Sequence, residues 1–176
     1  LVTLRALLGD ERQQPSLRQR DQLLEHLHVI QDAHGHLSMV ELRALAAYMN
    51  LPMAAIYETA TFYAHFDVVH DGQTPPPDTT VRVCDSLSCQ LAGAAQLKAQ
   101  LAAGFDPDTV RVIRAPCMGR CDSAPVVEVG HHHVNFATAE GVEAVVDTGH
   151  FHPEAILWQR LEAYRQQGGY HLLADC

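Results

Sequence analysis

The chain of 176 residues is 47% hydrophobic and 19% charged, enough apolar material for one compact domain with a helical appendage, or for two small domains. Its 21 acidic and 12 basic side chains leave a net charge of −9, which argues against nucleic-acid or anionic-membrane partners, since both need a basic face. No apolar run approaches the roughly 18 residues of a membrane span, and Leu1 to Asp10 lacks the basic-apolar-small order of a signal peptide, so the expected compartment is cytoplasmic, without membrane insertion.

In chain order, Leu17, Leu23, Leu24, Leu27 and Ile30 recur at helical spacing over residues 16–33, and Gly35 suits the stop that follows. Ser38 and Glu41 have capping-box spacing, which predicts a second helix running through Leu45 and Tyr48 to Asn50. Pro52 opens a third, over residues 53–66, whose Ile56, Tyr57, Phe62, Tyr63 and Phe66 are expected to pack on the first two. Residues 1–72 therefore read as a helical bundle. Residues 73–79, with Pro75, Pro76 and Pro77, read as an extended, semi-rigid linker.

Beyond the linker the hydrophobic period changes. Strands are predicted at residues 81–83 and 110–113 around a helix at 91–101, a βαβ unit of ordinary size. Residues 126–129 and 132–135 then read as a hairpin about Gly130 and His131, and 139–146 as a closing helix. The expected class is α+β: a helical bundle followed, over residues 80–149, by a β-α-β-β-β-α domain compatible with a thioredoxin-like sandwich. Residues 150–176 read as a connector holding a last helix at 156–165.

Four of the five cysteines fall in two tight pairs, Cys84-x4-Cys89 after the first strand and Cys117-x3-Cys121 after the second. Parallel strands of one βαβ unit end on the same sheet edge, so four thiols are delivered to one place. In a reducing compartment, closely spaced thiols point to metal or redox chemistry rather than to disulfides. The four-residue gap favours a [2Fe–2S] cluster over structural zinc, which commonly uses two-residue knuckles, while zinc and inert thiols stay open on spacing alone. C-x-x-C is absent, which disfavours a thiol–disulfide oxidoreductase. Gly119 allows close backbone approach and N–H contacts to sulfur, the positive charge of Arg120 should raise a cluster's potential, and Asp85 and Asp122 should lower it. Pro125 sits where such folds carry a cis proline. Cys176 reads as a free thiol.

Gln31-Asp32-Ala33-His34-Gly35, Glu58-Thr59-Ala60-Thr61-Phe62-Tyr63, Cys84-x4-Cys89 and Ala115-Pro116-Cys117-Met118-Gly119-Arg120-Cys121-x3-Pro125 together resemble the small thioredoxin-like [2Fe–2S] ferredoxin subunit of complex I, over about residues 16–147. The same module occurs in NAD-reducing hydrogenases and NAD-linked formate dehydrogenases. Ile30-Gln31-Asp32, Phe62-Tyr63-Ala64-His65-Phe66-Asp67 and Val129-Gly130-His131 look like the NAD-side subunit of molybdenum or tungsten formate dehydrogenases. Tyr164-Arg165-Gln166-Gln167-Gly168-Gly169-Tyr170 is similar to the opening of the fused flavoprotein.

The resemblance implies that Cys84, Cys89, Cys117 and Cys121 hold one cluster. It places FMN, NAD and further iron–sulfur clusters in a flavoprotein domain joined C-terminally, and a molybdenum or tungsten pterin cofactor in a large catalytic subunit. The chain would then be the electron-transfer part of an NAD-dependent oxidoreductase, with no substrate chemistry of its own; a zinc-stabilised interaction module is the rival of another class. No phosphate-binding glycine motif suggests a nucleotide site here.

Twelve histidines raise a metal hypothesis. His131, His132 and His133 alternate across a strand and should not converge on one ion, and His26 and His28 diverge on a helix, so these are read as structural or exposed.

Overall fold

The computed structural model describes residues 2–10, 12–153, 158–174 and 176. Helix α1 (Val2–Leu8), which the sequence pattern leaves unassigned, sends Leu4 into the bundle core. The helix expected from residue 16 becomes two 3-10 turns, Pro15–Arg18 and Arg20–Gln22, before α2 (Leu23–His34). Gln19 is extended between the turns, and long-range contacts compete with helix there: Arg18 Nε donates to the Tyr48 carbonyl at 3.0 Å.

Strand β1 (Leu37–Ser38) leads into α3 (Met39–Met49), and the capping box is complete: Ser38 Oγ accepts from the Glu41 N–H, and Glu41 accepts from the Ser38 N–H at 2.8 Å. Helix α4 (Met53–Phe62) stops four residues short of its expected end. Tyr63 is extended, the chain turns over residues 63–66, and β2 (Val68–Val69) pairs parallel with β1. The turn buries Phe66 but leaves Phe62 78% and Tyr63 42% exposed, correcting the expectation that the whole aromatic stripe is core. Leu27, Ile30, Leu42, Leu45, Tyr48 and Ile56 are fully buried and centre this first core.

A second core lies under a four-stranded sheet ordered β4-β3-β5-β6. Strands β3 (Thr79–Cys84) and β4 (Val110–Ala115) run parallel, with Cys84 opposite Ala115. Strand β5 (Val127–Val129) is antiparallel to β3, and β6 (His132–Val134) antiparallel to β5. The helix expected at 91–101 begins three residues later, as α6 (Ala94–Gly104), and a short α5 (Leu87–Leu91) that the pattern leaves unassigned precedes it; Gly93, with a left-handed φ of +92° that a continuous helix cannot hold, separates the two. Helix α7 (Ala139–Thr148) starts at Thr138, whose hydroxyl accepts from the Gly141 N–H, and Val142 closes the core with Leu97, Leu101, Val81 and Val83. This is the thioredoxin-like arrangement of mixed helix and sheet.

The two cores meet at a polar joint. Gln31 on α2 donates to the His65 carbonyl at 2.6 Å and accepts from the Asp67 N–H at 2.7 Å. Arg82 of β3 and Arg111 of β4 both reach Asp67 Oδ2, at 3.2 and 2.7 Å. Beyond α7, α8 (Leu161–Gln166) and α9 (His171–Ala174) leave Leu161, Tyr164, Leu172 and Leu173 exposed. The expected last helix thus begins five residues late, and Ile156, its expected start, lies outside the described residues. Among the described residues no helix is long and apolar enough to cross a membrane.

Candidate metal centre

The two parallel strands end side by side, and the site grows from that edge. Cys84 is the last residue of β3, and the Asp85 N–H that follows donates to the Ala115 carbonyl at 2.9 Å, locking the strand ends together. Cys89 sits in α5, while Cys117 and Cys121 flank the loop after β4, Cys121 opening a 3-10 turn. Cys84 and Cys89 are each 2% exposed, whereas Cys117 and Cys121 face solvent. The set thus has a buried half and an open half.

The sulfurs of the two pairs meet. Cys117 and Cys121 Sγ are 3.6 Å apart, Cys84 is in hydrogen-bond contact with Cys89 and with Cys117, and Cys121 exerts charge on Cys89.

Donors are already aimed at sulfur. The Gly119 N–H points at Cys117 Sγ from 3.4 Å, and this contact leads the causes that hold the Cys117 thiol below the usual range, followed by Cys121 and Ser86. Gly119 reaches that position with φ +76°, and open space surrounds the place of a Cβ, so backbone conformation is what glycine provides here. Burial pushes the Cys89 thiol up, against a hydrogen bond from the Val126 backbone that favours thiolate. Cys121 is pushed up by its hydrogen bond and charge contact with Cys117, with Ser88 acting in the opposite sense. Of these three thiols, Cys117 is the one poised to ionise.

Sequence reasoning missed Ser86, Ser88 and the Val126 N–H. Ser86 and Ser88 come from the first cysteine loop yet donate to sulfurs of the second, so they tie the loops together; serines flanking Cys89 were the available signal. Arg120 is exposed between the ligating-type positions, and Ala124–Pro125 is cis, as expected. The Pro125 carbonyl accepts from the Ala137 N–H at 2.8 Å, fastening this turn to the approach of α7.

A thioredoxin-like sheet whose adjoining strand ends present four thiols, with N–H groups directed at them, is the frame of a sulfur-liganded metal protein. Residues 10–150 match the family model described as thioredoxin-like [2Fe-2S] ferredoxin, and the chain belongs to that family. It is 27% identical over 137 residues to a subunit of the NADH-quinone oxidoreductase of Rhizobium meliloti (strain 1021), covering 73% of this chain and 79% of that protein. It is 31% identical over 129 residues to a subunit of the NADP-reducing hydrogenase of Solidesulfovibrio fructosivorans, covering 65% of this chain and 70% of the relative. Among solved structures, an air-oxidized NAD+-reducing [NiFe]-hydrogenase aligns with TM-score 0.54 and 27% identity. That alignment takes in 72% of this chain but only 22% of the hydrogenase chain.

Proposed function

We propose that Cys84, Cys89, Cys117 and Cys121 hold one [2Fe–2S] cluster and that the chain is an electron-transfer module of an NAD-linked oxidoreductase. The observation carrying this is the convergence of two cysteine pairs at one sheet edge, with backbone N–H groups aimed at their sulfurs. Membership of a [2Fe-2S] ferredoxin family supports the same donor assignment. A cluster bound there supplies one-electron storage.

The protein's own residues set the conditions for that storage. The Gly119 and Val126 N–H groups direct partial positive charge at sulfur and stabilise added negative charge. Burial of Cys84 and Cys89 shields one side from water, and the exposure of Cys117 and Cys121 defines the side that a partner approaches. Leu87 and Leu91 on α5 stand 76% and 81% exposed, and Phe136, whose N–H donates to the Ser123 carbonyl beside the second cysteine pair, 67%; these form an apolar rim suited to a flavoprotein domain carrying FMN and NAD.

Within this class the reading is the formate-dehydrogenase module, with a pterin-bound molybdenum or tungsten centre in the large subunit. Its support is the three sequence segments that look like that branch. They touch one another in the fold: Gln31 bonds the 65–67 backbone, and Asp32 lies 2.8 Å from His131. Complex I and hydrogenase relatives supply the competing assignments.

Anaerobic addition of formate to the complex purified with this polypeptide is the test. The reading predicts a large subunit containing molybdenum or tungsten and a reduced [2Fe–2S] electron-paramagnetic signal that formate elicits. A complex reduced by NADH or hydrogen, but not by formate, contradicts the finer assignment and leaves the cluster assignment standing.

A further inference from the structure

His28 on α2, His65 in the turn after α4 and His131 in the turn between β5 and β6 each offer one ring nitrogen, and these three atoms all lie within 4.8 Å of one another. The rings of His65 and His131 stack with centroids 5.3 Å apart, and that of His28 lies 4.9 Å from His65 and 6.0 Å from His131. All three are half-buried. Three imidazoles facing one another, without hydrogen bonds among them, are a donor set lacking its acceptor.

We infer that His28, His65 and His131 form a metal site, separate from the four thiols, for a divalent transition ion of the zinc class. Three imidazoles and an open fourth position suit zinc, and the same nitrogen donors suit copper, nickel and cobalt. A carboxylate stands behind one ligand in the manner of histidine metal sites: Asp32 Oδ1 is 2.8 Å from His131 Nε2. A carboxylate on one ring nitrogen sets the tautomer and leaves the other nitrogen for the metal.

The backbones that carry the ligands are fastened independently of any ion. The His65 carbonyl accepts from Gln31 and from Arg82, and the His131 N–H donates to the Phe151 carbonyl at 2.8 Å. A cleft of about 320 Å³, lined by Asp32, His65, His131 and His152 among others, opens beside the trio and gives an ion and its water ligand a way in. Two ligands come from the helical part and one from the sheet part, so a bound ion would clamp the joint between the two cores. The inference is independent of the assignment of the thiols.

The test is titration of the purified, cluster-loaded full chain with zinc alone by calorimetry, and with cobalt alone by absorption. One ion per chain is expected, without the intense sulfur-to-cobalt absorption that a thiolate-held ion shows, so binding at the cysteines is told apart. His28→Ala, His65→Ala and His131→Ala should each weaken it by at least about 100-fold, and Asp32→Asn by about tenfold. His70→Ala and His150→Ala, at exposed histidines outside the trio, should leave it unchanged. No thiol-independent site, or equal loss in all five histidine variants, overturns the inference. Should a variant fail to fold, pulsed electron-paramagnetic spectra of the unsubstituted chain with one equivalent of copper decide: three imidazoles support the site, and two or fewer overturn it.

Discussion

The two places where metal-ligating side chains gather are built in opposite ways. The thiols come from two short segments at neighbouring strand ends, pre-aligned by the parallel β3–β4 register. The histidines come from three segments joined only by tertiary packing, one on a helix and two in turns. A site made from local spacing on one sheet edge should depend on the second core alone, whereas a site spanning the joint should depend on both.

The largest effect that would break this contrast is loss of one sulfur. Cys117→Ala should remove most of the bound iron, measured as iron per chain, and should leave the helical circular dichroism of the bundle in place. Core substitutions sharpen the contrast next. Leu27→Ala and Leu101→Ala, at fully buried positions in the first and second cores, should each cost about 2–5 kcal/mol in denaturant unfolding. Only Leu101→Ala should bleach the visible absorption of the cluster at lower denaturant; equal bleaching in both would mean the two cores unfold as one. The smallest effect is electrostatic. Arg120→Gln should lower the midpoint potential by on the order of a few tens of millivolts, and an unchanged or raised midpoint would contradict the role given to that charge.

The same contrast explains what could be read from sequence. The meeting of the cysteine pairs was legible because strand periodicity fixes which ends of a βαβ unit coincide, and Ser38 with Glu41 announced its helix start through purely local chemistry. Helix α4 misled because an apolar stripe records amphipathicity and not where the chain turns: Phe62 continues the stripe, yet the helix ends there so that Phe66 can be buried. The break at Gly93 was visible as a glycine but not as a left-handed one. The reasoning that consecutive histidines diverge holds for His132 and His133, which turn toward His150 and Glu128. His131 nevertheless meets His28 and His65, and no periodicity links positions so far apart.

Iron, zinc and acid-labile sulfide analysis of the anaerobically purified chain, with a spectrum of the dithionite-reduced sample, tests the central claim most directly. The account predicts about two irons and two sulfides per chain and a reduced [2Fe–2S] electron-paramagnetic signal. Zinc at the cysteines, with no labile sulfide and a colourless protein, would contradict it.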